Sequence, residues 1–242
     1  MAYLKLNIFN VLIFVGMLVG IGFGSFILRK NNTKLSRLLA GFFLSLCISI
    51  IQLVYRDMGL NRAIIEIPRL PTDILLVAFI FVFVELYTKY IYRKSVLYIA
   101  FSVFLAVYTF NLCYHFQVFS MALETYLAID LLIATIIPVV SLGLMIPIFV
   151  NVYGVFNKNE KNSVNRASNA RFQWLFNLIY GALFLTILWV LNVVFARFVF
   201  NGDNLPSYYV LWLSATAALI WWAYSGIPIE VLLDKESEDH KP

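Results

Sequence analysis

The sequence predicts an all-α integral membrane protein of seven transmembrane helices, with the N-terminus outside and the C-terminus cytoplasmic. Three observations carry this. First, the 242 residues are 62% hydrophobic and only 13% charged, with a mean hydropathy of +0.86. A soluble domain sits near half apolar and a quarter charged. Second, the apolar residues fall into seven runs, each close to the ~20 residues that a span needs. Third, Lys and Arg gather in alternate connections, the pattern of cytoplasmic loops near anionic lipid. Little length remains for a separate soluble domain.

The predicted spans are 6–28, 38–55, 74–91, 96–116, 129–153, 172–195 and 208–233. The first is too long for the apolar core of a signal peptide and no small-x-small site closes it. Its Gly16, Gly20 and Gly24 recur every fourth residue and so share a helix face. That spacing lets a neighbouring backbone approach closely, within the chain or in a homodimer. The turn RKNNTKLSR leads into span two. The loop before span three holds Pro68 and Pro71, which stop a helix from crossing it. Span five carries Pro138 and Pro147 and is expected to kink.

The stretch 157–171, NKNEKNSVNRASNAR, is the longest polar run inside the chain. Lys158, Lys161, Arg166 and Arg171 face the single acid Glu160, so it reads as the main cytoplasmic loop. The tail 234–242 is short, charged and expected to be disordered.

Orientation follows from the bases. Arg29, Lys30, Lys34, Arg37, Lys89, Arg93, Lys94, Lys158, Lys161, Arg166, Arg171, Lys235 and Lys241 fall on one side, thirteen of the eighteen. Lys5, Arg56, Arg62, Arg69 and Arg197 fall on the other. The richer side is cytoplasmic.

Ionisable groups at membrane depth are functional candidates by default. Glu85 lies one turn before Lys89, and an i,i+4 pair accounts for it. Asp130 is an interfacial acid if its helix begins at Ile129, the reading favoured here, and a buried one if it begins near Leu123. The outer halves of spans three to six offer a cavity, and Asn111, His115, Asp130, Asn192 and Arg197 all fall toward that side. They could line a ligand pocket or form interhelical hydrogen bonds.

Several chemistries are not supported. Cys47 and Cys113 sit in apolar runs and read as packed thiols. The histidines are His115 and His240, so neither a bis-His haem nor an HExxH zinc site is available. Span seven has no lysine for a retinal. There is no phosphate loop and no Ser/His/Asp set, so no catalysis, metal or cofactor is expected. The bases lie in short loops between apolar runs, which does not support direct binding of nucleic acid.

Four stretches resemble the N-terminal seven-span membrane region of bacterial AraC-type regulators, which precedes a cytoplasmic helix-turn-helix domain. They are GMLVGIGFGSFILRKNNTKLSRLLAGFFLSLCI, IPRLPTDILLVAFIFVFVELYT, NARFQWLFNLIYGALFLTILWV and IWWAYSGIPIEVLL. The relatives tend to carry Gly-Pro in span three, where this chain has Val-Ala-Phe-Ile. Their DNA-binding domain would follow Pro242.

The resemblance implies a sensory or signal-transducing module of the bacterial cytoplasmic membrane. It would bind a small or lipidic ligand from the outer side and couple to a cytoplasmic output domain or partner. The runner-up is a small transporter or a lipid-active membrane enzyme. A third option is a structural subunit held through the Gly16, Gly20 and Gly24 face.

Overall fold

A computed structural model describes residues 7–30, 33–57, 70–89, 93–118, 121–161, 166–198 and 205–239. Seven helices and no strand occur among them: α1 Ile8–Lys30, α2 Lys34–Asp57, α3 Thr72–Lys89, α4 Lys94–His115, α5 Leu123–Lys161, α6 Arg166–Phe198 and α7 Leu205–Asp239. Five hold stretches long and apolar enough to cross a membrane: Ile8–Arg29, Lys34–Gln52, Lys94–His115, Thr135–Gly154 and Gln173–Asn192. That number of apolar helices marks a multi-pass membrane protein. α3 is largely apolar too but carries three charged residues, Asp73, Glu85 and Lys89, within its 18.

Side-chain pairings set the direction of each helix. Gly20 of α1 lies against Cys47 of α2, and Gly24 against Phe43 and Leu44, so these helices are antiparallel. Ser49 meets Thr72 and Gly41 meets Phe79, which makes α2 and α3 antiparallel. Glu85 meets Arg93 and Phe79 meets Phe101 between α3 and α4. Phe149 stands beside Tyr180 and Tyr153 beside Phe176, so α5 and α6 are antiparallel. Gly181 lies on Trp222 and Gly226 on Trp174 between α6 and α7. α1 and α7 run parallel, pairing Phe9 with Tyr209, Gly16 with Thr216 and Gly20 with Leu219. The alternation gathers the α1/α2, α3/α4 and α5/α6 connections at one end, called here the basic end.

The packed pairs close a ring in the order α1, α2, α3, α5, α6, α7 and back to α1. α4 stands outside this ring, packed along α3. An aromatic knot fills the α1, α2 and α7 side of the core. Phe23 meets Phe43 edge-on at 5.0 Å, and Phe42 and Phe43 both reach Trp222, at 5.8 and 6.3 Å. Phe42, Phe43 and Trp222 are fully buried. Close approach is possible because glycines face the bulky partners. A Cβ at Gly181 would stand 2.6 Å from the Trp222 ring, and one at Gly41 2.8 Å from the Phe79 ring.

The outside of the bundle is as apolar as the inside. α1 exposes Val11, Leu12, Val15 and Leu18, and α5 exposes Leu132, Ile136, Val139 and Val140. Water would penalise such continuous stripes, whereas lipid tails accept them. Without a hydrophobic drive between helices in lipid, small residues and close van der Waals packing must hold the ring.

The helices differ from the predicted spans where polar ends were expected to be loops. α5 runs through Pro138 and Pro147 and on to Lys161, and α6 starts at Arg166. Most of the predicted loop 157–171 is therefore helical, leaving 162–165 outside the described residues. At ~1.5 Å per residue, the 39 residues of α5 reach about 58 Å, well beyond a ~30 Å hydrocarbon core. The tail expected to be disordered is helical to Asp239. Polar ends carry no apolar pattern, but a helix already nucleated extends at little cost.

α4 ends in a Schellman turn. The Val118 N–H donates to the Cys113 carbonyl (2.9 Å) and the Gln117 N–H to that of Tyr114 (3.0 Å). Gln117 takes the left-handed conformation, φ 53°, that glycine favours there.

Candidate functional site

α3 is the hub of the fold, packed against α2, α4 and α5. Its two ends carry the best-defined polar contacts. At its start, the Ser49 and Thr72 hydroxyls lie 2.6 Å apart, and Ser49 Oγ is 2.9 Å from Asp73 Oδ1. Gln52 brackets the chain just before, accepting from the Leu70 N–H (2.7 Å) and donating to its carbonyl (3.1 Å). Ser49 and Thr72 are buried. Ser45, Ser49 and Gln52 recur at i, i+4 and i+7 on α2, a polar stripe that marked this face. Serines are ordinary in membrane helices, so this stripe gives only a weak signal in the sequence.

At the other end of α3, Arg93 Nε stands 2.8 Å from Glu85 Oε2. The expected pairing within the helix, Glu85 with Lys89, falls on a side chain outside the described residues. The described partner lies across the α3/α4 connection. The Glu85 side chain is only 10% exposed and the Arg93 side chain 52%. The contact is an ion pair without a well-angled hydrogen bond to Oε2. A turn-spanning pair ties the start of α4 to α3 in a way that an i,i+4 pair could not.

The five expected ligand residues divide between two places. Asn111, only 2% exposed, and half-buried His115 lie near the end of α4. There the Tyr126 hydroxyl donates to Asn111 Oδ1 at 3.4 Å. Tyr126 also stacks flat on Tyr114, with ring centroids 3.6 Å apart. Asn192 is buried on α6. The pairings Gly181–Trp222, Gly16–Thr216 and Phe9–Tyr209 put it level with Asn10 and Tyr209. Asn7 donates to the Tyr209 hydroxyl at 2.8 Å and accepts from the Asn10 N–H. α4 packs along α3, whereas α6 packs between α5 and α7, so the ring does not pair the helices of Asn111 and Asn192.

Asp130 falls two turns inside α5, because the helix starts at Leu123 rather than the favoured Ile129. The Tyr126 N–H bonded to the Ala122 carbonyl begins that first turn. The side chains of Asp130, Arg197, Lys158, Lys161, Arg166 and Arg171 lie outside the described residues. Three glycines of α1 are covered within the chain: Gly16 by Thr216, Gly20 by Cys47 and Leu219, Gly24 by Phe43 and Leu44.

At the basic end, α2, α3 and α4 enclose a half-open cavity of about 310 Å³. Lys34, Arg37 and Lys94 line its mouth, and Leu38, Phe79 and Leu97 its walls. Among the described residues, no group of three or more His, Cys, Asp or Glu is placed to hold a metal.

No protein-family model, curated protein or solved structure matches the chain.

Proposed function

We propose that this chain is a seven-span sensory module of the bacterial cytoplasmic membrane, with its N-terminus outside and its C-terminus inside. It takes a small or lipidic ligand at its outer half and passes the change to an output on the cytoplasmic side, without catalysis. The observation that carries this reading is the placement of α4. It stands outside the ring and packs along α3, the one helix shared with both α2 and α5. Its outer end holds the buried Asn111 beside Tyr126, and its inner end is tied to α3 through Glu85 and Arg93. A ligand that displaces the outer end of α4 would act on the hub, and the ion pair would carry the shift to the basic end.

The alternating helix directions support a reading of seven spans. α3 and α7 tolerate polar residues because their neighbours screen much of their surface from lipid. The basic end is cytoplasmic by the distribution of Lys and Arg. α5 and α6 then reach past the bilayer on the side where an output would attach. The resemblance to the membrane region of AraC-type regulators supports the same direction of signalling.

The test is a thermal-shift screen of the purified chain in detergent against a metabolite and lipid panel, run in parallel on Asn111→Leu. A true ligand stabilises the wild type by mass action and loses that effect in a variant that still folds. A panel without a single shift, or ligands that act equally on both proteins, refutes the reading. Reporter fusions at the C-terminus check the orientation, and an external signal there overturns it.

A further inference from the structure

We propose that the outer half of the ring holds a binding site for a small uncharged polyol, anchored on Trp212 and Thr216 of α7. Each carries a polar atom that is buried and without a hydrogen-bond partner, Trp212 Nε1 and Thr216 Oγ1. Thr216 is only 5% exposed. The two stand four residues apart, so they share one face of α7. A buried polar group left unpaired costs stability. Two on one face mark a place where an occupant completes the hydrogen bonds.

The surroundings are polar in one half of the bundle only. Among the described residues, the buried polar side chains of α1, α6 and α7 are Asn10, Thr186, Asn192 and Thr216. Gly181 on Trp222 and Gly226 on Trp174 put Thr186 level with Thr216, and Asn192 level with Tyr209 and Asn10. Trp212 lies between these two levels. Farther in, the same helices bury Phe23, Leu178, Leu219 and Trp222. Phe42 and Phe43 of α2 reach past α1 to Trp222, so an apolar floor closes the polar layer toward the basic end. The ligand enters from the outer end and stops at that floor.

The lining selects the occupant. It holds amides, hydroxyls and an indole N–H, and an ion there would be buried without a counter-charge among these side chains. The indole N–H only donates, so the occupant must accept, whereas Thr216 can do either. Side chains one turn apart are separated by roughly 5–6 Å at Cβ, a span suited to the outer hydroxyls of a three- or four-carbon polyol. The site lies apart from Asn111 on α4 and does not rest on the sensory reading.

NMR of the full chain in detergent, with isotope-labelled tryptophan, reads each indole N–H directly. Trp212→Phe and Trp174→Phe assign two of the signals. Trp174 Nε1 is also buried and unpartnered, but it lies against Gly226 at the basic end, outside the polar layer, and serves as the internal control. The probes are glycerol, erythritol and the charged glycerate. Glycerol or erythritol is expected to move the Trp212 signal saturably and to leave Trp174 in place. Thr216→Val keeps the shape and removes the hydroxyl, and should weaken binding about threefold to tenfold. Thr216→Ser keeps the hydroxyl and should bind as the wild type does. A Trp212 signal that neither polyol moves, an equal response to glycerate, a parallel movement of Trp174, wild-type affinity in Thr216→Val, or equal weakening in Thr216→Ser would each overturn the proposal.

Discussion

Gly20→Ala is the sharpest test of how the ring is held. A Cβ at Gly20 would stand 2.6 Å from Cys47 Sγ and 3.3 Å from Leu219 Cδ2. Ordinary contact lies near 3.5–4.0 Å, so the new methyl overlaps the sulfur by roughly 1 Å. Neither neighbour has space to retreat into: Cys47 is 1% exposed, Leu219 is fully buried, and the Cys47 thiol donates weakly to the Met17 carbonyl. The α1 backbone must therefore move away from α2 and α7. Overpacking of this kind costs about 1–3 kcal/mol, partly offset by the ~1 kcal/mol that Ala gains over Gly in a helix.

Gly22→Ala isolates the second effect, because nothing lies within 4 Å of a Cβ there. Reversible unfolding by SDS in mixed micelles should place Gly20→Ala about 1–3 kcal/mol below Gly22→Ala. Cys47→Ala removes the clashing sulfur, so the double variant Gly20→Ala/Cys47→Ala should lose less than the two single losses combined, by about 1 kcal/mol or more. Gly20→Ala and Gly22→Ala agreeing within ~0.3 kcal/mol, or strict additivity of the cycle, would refute the packing assigned to α1.

Gln117→Gly should stabilise the fold by about 1 kcal/mol in the same assay, because glycine takes the left-handed turn after α4 without strain. Arg93→Gln leaves the nearly buried Glu85 carboxylate without its cation, a loss of about 1 kcal/mol given the exposure of Arg93. Glu85→Gln/Arg93→Gln should recover part of it, which chemical denaturation can measure. A maleimide should label Cys113 and spare Cys47 in the folded protein and label both after denaturation, because Cys47 is buried and Cys113 half-exposed. Mass spectrometry reads the number of adducts.

Much of the fold was legible from composition. An all-helical chain with long apolar segments follows from hydropathy, since a bilayer leaves a spanning helix few polar positions. The polar stretches were harder to read. Asn157 to Lys161 and the first residues after Asp234 carry no apolar periodicity, yet α5 and α7 extend through them. The candidate site was less legible still. Depth along a helix can be estimated by counting residues, and it grouped Asn111, His115, Asp130, Asn192 and Arg197. Depth does not say which helices are neighbours, and Asn111 and Asn192 sit on helices with different partners.

Composition and charge order alone determined the helical class, the apolar exterior and the basic end, because these depend on each segment's own transfer into lipid and on where its bases fall. The tertiary structure decided the closed ring, the peripheral place of α4, the Glu85 partner across a turn and the convergence of Lys34, Arg37 and Lys94. Those are contacts between segments. In lipid they rest on the fit of small residues against large ones, such as Gly41 on Phe79 and Gly181 on Trp222, and hydropathy carries no record of that fit.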